Sequence, residues 1–407
     1  MTSVESKSPA AGSYRRAEDA VVRRLTRMFD AFTLRTFAVH QAALLRMGYG
    51  LIFLFGLLRE YVNRREIWGD RSAWSPAMAR QLLENIDGVS LLLASDERWW
   101  FELVYVLAIV TTALFVLGWH TRAMGVLFAV MVVSFNSRSI LMTDGGDTVL
   151  LLMSIYLAFT ACGRVWSLDA RRAKRTGIGP GTGPGRELGV FVGLFAILVL
   201  ALTLSWEWAV LIAPVLVGLW RLPRPAEQLR GVLVNVVHNC ALFVIAAEVC
   251  FVYGAAGLFK VQGSYWQDGT AMHYVLNLEY FAPWPAFSEQ LASNTGMGMV
   301  ICYLTVFVQI GFVFLVFAKR AKYVAIVILL GMHFGIAILL GLPAFSAAMS
   351  VGDALFLPTA FLMWTRGHVV RTVRRRLGGT PTPTAAPTPT VPAPTQAPED
   401  ATPTLAR

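Results

Sequence analysis

The run "HNCALFVIAAEVCFVYGAAGLFK", residues 238–260, decides the fold. One acid, Glu248, interrupts it before it ends at Lys260. A stretch this long and apolar matches the hydrocarbon core of a bilayer, about 30 Å thick. Similar runs recur along the chain. Of the 407 residues, 56% are hydrophobic and 15% are charged, and the mean hydropathy is +0.57. A soluble domain carries about 25% charged residues. The runs are continuous rather than alternating, which specifies helices and excludes a membrane barrel. The expected fold is all-α: a polytopic transmembrane helical bundle.

About ten spans are expected, centred on 40–60, 100–118, 122–137, 146–163, 188–204, 208–220, 236–260, 298–317, 323–341 and 345–364. The formal charge of +10 tests this count. The basic stretches 1–36, 164–186, 221–230, 319–322 and 366–376 fall on one side only if every span is real and both termini are cytoplasmic. The stretches 61–99 and 262–297 are mixed or acidic and fall on the other side. The charge therefore follows membrane topology, and no nucleic-acid partner is expected. The four cysteines form no C-x-x-C and the histidines no H-x-x-x-H, so neither thiol redox chemistry nor a metal site is expected.

Four regions follow. Residues 1–36 form a basic cytoplasmic arm, in which "EDAVVRRLTRMFDAF" reads as an amphipathic helix presenting Arg23, Arg24 and Arg27 to lipid headgroups. The arm is polar and gives no cleavable signal, so the first apolar run is expected to insert as an anchor. Residues 37–366 are the transmembrane domain, with "RRAKRTGIGPGTGPGR" (171–186) as a flexible linker. Residues 367–377 are a basic juxtamembrane segment. The Pro/Thr/Ala-rich residues 378–407 cannot build a core and are expected to be disordered. The setting is a multi-pass protein of the cell membrane, whose first partner is the bilayer.

Ionisable residues inside a bilayer are costly and mark function by default. Glu248 lies in mid-span. His238 and Asn239 read as interfacial caps at the cytoplasmic end of that span. Arg46, in "AALLRMGYGLIFLFG", keeps its charge and needs a carboxylate or several carbonyls. Asp147 with Thr148 reads as a helix N-cap pair, or as part of a site. His333 and Asp353 fall within the last two spans. Ala247, Cys250, Gly254 and Gly257 form a small-residue stripe suited to close helix contact. Lys260 follows one turn later, either at that seam or snorkelling to headgroups.

These residues resemble a known family. "AAGLFKVQGSYWQDGTAM" (255–272) is similar to the signature of the horizontally transferred transmembrane (HTTM) family. That family includes vitamin K-dependent γ-glutamyl carboxylases and bacterial proteins that mature sporulation-delaying peptide toxins. "LLRMGYGLIFLFGLLRE" resembles its first-span arginine motif, "DGGDTVLLLMSIYLAFTACGRVWSLDARR" its fourth span, and "GMHFGIAILLGLPAFSAAMSVGDALFLP" its closing helices. The likeness covers roughly 36–366 and is greatest to standalone bacterial members. It implies that Lys260 matches the lysine that deprotonates a vitamin K-type hydroquinone. It also implies a reduced naphthoquinone (vitamin K or menaquinone type) as cofactor and a secreted peptide as partner. Lys260, His333 and Asp147 would be the catalytic set. Arg46, Tyr253, Gly257 and Trp266 would line the quinone, with small residues making room for its ring.

The chain departs from the carboxylases in three places. Phe259 and Lys260 stand where they have two lysines. Gly145, Gly146 and Asp147 stand where they have an Asn-His pair. A basic patch and the Pro/Thr/Ala-rich tail follow the last span where they have a large lumenal domain. Three functions stay open: a quinone-dependent enzyme acting on a peptide or small acceptor at the outer face, a non-catalytic partner in maturation or export of a secreted peptide, and a transporter of a small amphiphile. The topology is testable directly. Reporter fusions after Asp169 and after Gln262 should report cytoplasm and exterior respectively; the same side for both overturns the span count.

Overall fold

The computed structural model describes residues 9–86, 88–177 and 227–376. Expected spans 188–204 and 208–220, most of the linker, and the tail from 378 lie outside them. The chain divides into two units, 1–359 and 360–407. Within the second, the helix begun at Thr359 runs to Arg376.

Every regular element among the described residues of the first unit is helical. The main helices are α1 (Pro9–Leu34), α2 (Val39–Arg59), α3 (Pro76–Asn85), α4 (Arg98–Leu117), α5 (Thr121–Arg138), α6 (Gly145–Ala158), α7 (Leu168–Thr176), α8 (Glu227–Gln262), α9 (Thr295–Leu315), α10 (Ala321–Leu339) and α11 (Pro343–Asp353). Five stretches are long and apolar enough to cross a membrane: α2, α4, residues 231–262 of α8, α9 and α10. The chain is thus a helical protein of membrane character.

Three expected segments differ in detail. The 146–163 span is the shorter α6, which ends at Ala158. Part of the 171–186 linker is ordered as α7, because Ser167 accepts a bond from the Ala170 amide as its N-cap. The 345–364 span is not one helix. α11 ends at Asp353, a 3-10 turn covers Ala354–Phe356, and Pro358 bars a continuous helix before Thr359.

Hydrogen bonds define the two ends of the bundle. At the first end α8 is tied to the last turn of α1 and the segment after it. Asn239 Nδ2 donates to Phe32 O at 2.7 Å and Arg35 O at 2.8 Å, and its Oδ1 accepts from the Phe37 amide. Asn235 Nδ2 donates to Thr33 O, and its Oδ1 accepts from Arg164, which also donates to Thr36 Oγ1. His238 accepts from the Ala161 amide through Nδ1 at 3.0 Å and donates through Nε2 to Phe37 O at 2.8 Å. His238 and Asn239 are therefore buried cross-links rather than interfacial caps.

At the second end Ser139 donates to Ile67 O, and buried Arg138 donates to Trp74 O and Gly69 O. Arg65 pairs with Asp70 and Arg80 with Asp96 there, and each carboxyl is held below its usual range mainly by the arginine's hydrogen bonds.

Of the small-residue stripe, Gly254 and Gly257 pack α8 on α9, whereas Ala247 is exposed and Cys250 half-buried. A Cβ on Gly257 would lie 2.6 Å from Ile310 Cγ1 and 3.0 Å from the Ile310 backbone nitrogen, and one on Gly254 would lie 3.0 Å from Val313 Cγ2. The backbones approach this closely only because those positions lack side chains. Gly257→Val should therefore destabilise the detergent-solubilised protein by about 1–3 kcal/mol, the usual cost of overpacking. Unchanged thermal unfolding would contradict the seam.

Candidate functional site

The interior of the bundle carries one polar junction built from four helices. Tyr253 lies two turns before Lys260 on α8. Its hydroxyl sits 2.9 Å from His333 Nε2 of α10 and 2.9 Å from Asp353 Oδ2 at the end of α11. Tyr49 of α2 brings its hydroxyl against Gly352, the residue before Asp353. All four side chains are at most 2% exposed.

Their surroundings are aromatic and aliphatic. The Phe312 ring stands edge-on to Tyr253 at 5.2 Å, Phe345 meets His333 at 5.8 Å, and Val249 approaches Gly352. Three polar atoms there have no protein partner: Tyr49 Oη, His333 Nδ1 and Asp353 Oδ1. Leaving such atoms unbonded costs about 1–3 kcal/mol each, so they mark a place where packing gives way to chemistry.

Lys260 lies at the second end of α8. It is half-buried, donates to Ala256 O at 3.4 Å, and its Nζ sits 5.3 Å from the centre of the Trp266 ring. Among the described residues it has no carboxylate partner within salt-bridge distance. It is near enough to His333 to act on that ring electrostatically. Lys260 and Trp266 thus form one pair at this end, and Tyr253 and His333 belong to the junction two turns away along α8.

The other expected site residues have separate places. Gly257 is occupied by packing against Ile310. Arg46 belongs to the first end, where it donates to Phe115 O at 2.9 Å and Trp166 O at 2.7 Å. Those carbonyls engage Nη1 and Nη2 without a carboxylate, while the buried Nε has no partner among the described residues. Gly118, at φ +71°, leaves room for the guanidinium. Asp147 is one half of a capping box. Asp144 Oδ1 accepts from the Gly146 and Asp147 amides, and Asp147 Oδ2 accepts from the Asp144 amide at 3.0 Å. The N-cap is therefore Asp144, three residues before the expected Asp147. Asp147 has Phe345 as a neighbour of its own turn, since Gly145 and Gly146 pack on that ring and backbone.

Glu248 is half-buried, close enough to act electrostatically on Tyr156, and stands apart from the junction. Sequence reasoning missed Tyr49 as a site residue, although it lies three positions after Arg46 in the same motif. It also missed Arg138. Asp353 was visible as an acid closing the apolar run "SAAMSVG". At the second end, a cleft of about 250 Å³ opens beyond Lys260, lined by Met272, His273, Tyr274, Leu291, Asn294 and Thr295. His273 Nδ1 is engaged by Ala292 O at 3.0 Å.

No protein-family model, curated protein or solved structure matches the chain. The site is read from its own geometry.

The hydrogen-bond inventory gives opposite expectations for the two tyrosines. Tyr253→Phe strips the partner from both His333 Nε2 and Asp353 Oδ2 and should cost about 2–4 kcal/mol, at roughly 1–2 kcal/mol per orphaned group. Tyr49→Phe removes a hydroxyl that bonds nothing and should be neutral or stabilising. Thermal unfolding of both variants in the same detergent checks the contrast; equal losses would contradict it.

Proposed function

We propose that this chain is an HTTM-type integral membrane enzyme of the cell membrane, with ten spans and both termini cytoplasmic. It acts on a reduced naphthoquinone and uses Lys260 as base to modify a peptide or small acceptor at the outer face. The observation that carries this reading is the placement of Lys260. Its amine is half-buried, faces no carboxylate among the described residues, and lies beside the Trp266 ring, on the same helix as Tyr253 and two turns beyond it.

An amine withdrawn from water and left without a counter-ion gives up its proton more readily than one in solvent, which is what a general base needs. Once Lys260 has taken a proton, the π-face of Trp266 stabilises the ammonium. The residues suit a hydroquinone in a second respect. Its hydroxyls need polar partners in an apolar setting, and His333 Nδ1 and Asp353 Oδ1 are unbonded there. When bound, a hydroquinone would supply an acidic O–H, and Lys260 Nζ would be the group that accepts its proton. Arg46 takes no part, because it stands at the other end of the bundle, with two of its nitrogens donating to carbonyls there. The cleft around His273 lies in the segment that follows Lys260 and is where an acceptor would dock.

The test is turnover of reduced menaquinone by the protein in nanodiscs, with native mass spectrometry of co-purified lipid. A quinone should co-purify. Lys260→Ala should lower turnover by about 10²–10⁴, the range of a general base. Lys260→Arg should fail as badly, since arginine stays protonated. Full activity in the arginine variant overturns the base assignment.

A further inference from the structure

Tyr253, His333 and Asp353 share one tyrosine hydroxyl, and that hydroxyl has one proton. The same heavy-atom distances of 2.9 Å fit two proton arrangements. In the first, His333 carries its proton on Nε2 and donates to Tyr253, and Tyr253 donates to an ionised Asp353. In the second, Asp353 is a carboxylic acid that donates to Tyr253, Tyr253 donates to His333 Nε2, and His333 carries its proton on Nδ1. Both arrangements satisfy every bond in the chain. They differ by one proton, and no heavy atom has to move to convert one into the other.

The atoms at the two ends of this chain are His333 Nδ1 and Asp353 Oδ1, and both are buried without a protein partner. We infer that His333, Tyr253 and Asp353 form an intramembrane proton relay that stores one proton on Asp353 and exchanges it through His333.

The step balances. A proton arriving at His333 Nδ1 makes an imidazolium. The Nε2–H bond then breaks as Tyr253 Oη takes that proton, and the original Tyr253 O–H bond breaks as Asp353 Oδ2 takes its proton. The histidine and tyrosine end neutral, and the carboxylate has become an acid. Release runs through the same bonds in reverse.

The loaded state is the resting one for a physical reason. No basic side chain lies within salt-bridge distance of Asp353 among the described residues, and an unpaired carboxylate buried among apolar groups is costly. The groups facing Asp353 are Tyr49 from α2 and Tyr253 and Cys250 from α8, all neutral when protonated. His333 faces Tyr253 and, at longer range, Lys260. A charge appearing on Lys260 repels a proton on His333, so the relay is biased toward release when Lys260 is an ammonium. Buried acid–histidine chains are a recurrent device for moving protons inside membranes. This relay stands on its own bonds and holds whether or not a quinone is the substrate of Lys260.

The experiment is difference infrared spectroscopy of the full-length protein in nanodiscs, with exchange from H2O to D2O. At neutral pH the wild type should show a carboxylic-acid C=O band that disappears in Asp353→Asn and persists in Lys260→Ala. In Tyr253→Phe the band should remain while its hydrogen–deuterium exchange slows at least tenfold, because the acid is present but its path is cut. His333→Gln should slow exchange in the same way and serves if Tyr253→Phe does not fold. Absence of the band at neutral pH overturns the proposal. So does exchange at the wild-type rate in folded Tyr253→Phe or His333→Gln, or a carboxyl signal that follows sodium rather than pH. Loss of quinone turnover in Lys260→Ala with this band intact separates the relay from the proposed base.

Discussion

A polar side chain in an apolar interior must find its hydrogen bonds inside the protein, and α8 is positioned by that requirement. Asn235, His238 and Asn239 bond almost every polar atom they own to residues 32–37 and 161–164. Both nitrogens of His238 are engaged, one as acceptor and one as donor, so its tautomer is fixed with it. From this anchor the helix rises about 1.5 Å per residue, which carries Lys260 roughly 33 Å away, close to the thickness of a bilayer core. The glycine seam with α9 fixes the rotation of the same helix. Depth and rotation together determine where Tyr253 and Lys260 stand.

The two cations expected to share a site illustrate how differently a bundle can treat a charge. Arg46 is buried, and two carbonyls accept from its guanidinium at hydrogen-bond distance while its Nε has no partner among the described residues. Lys260 is less buried, and a single long hydrogen bond and one aromatic face are its contacts. The two cations thus differ in their partners as well as in their depth. The same distinction applies to the carboxylates. Asp144 and Asp147 cap a helix with defined bonds to backbone amides, whereas Asp353 keeps one oxygen unbonded.

Much of this was legible in the sequence because apolar length and small-residue spacing are local signals. The cores of α2, α4, α8, α9 and α10 follow from their runs, and Gly254 and Gly257 meet α9 as a stripe of that spacing should. The partners of polar residues were not legible, since they are set by helices far apart in the chain. Arg46 could be read as needing carbonyls, but nothing local says that these belong to Phe115 and Trp166. The cap of α6 shifted by three residues because Asp144 and Asp147 are both acids at capping-box spacing, and either reads as the N-cap. The break after α11 comes from Pro358, which hydropathy does not register. Of the site, Lys260, His333, Tyr253 and Trp266 were visible as residues; their connection through one tyrosine hydroxyl required the fold.

The anchor of α8 also orders events during synthesis. Its bonds to Phe32, Thr33, Arg35 and Phe37 join residues 201 to 207 positions apart. At a ribosomal rate of roughly 5–20 residues per second, about 10–40 s pass between the emergence of the two halves. Through that interval the last turn of α1 and the segment before α2 hold carbonyls whose partners on α8 have not yet been made. The N-terminal part of the bundle must wait in the lipid, its first end still open to water, until α8 enters and closes it. Closure of this end is therefore a late event in assembly, and any nascent chain that stops short of residue 239 leaves it unfinished.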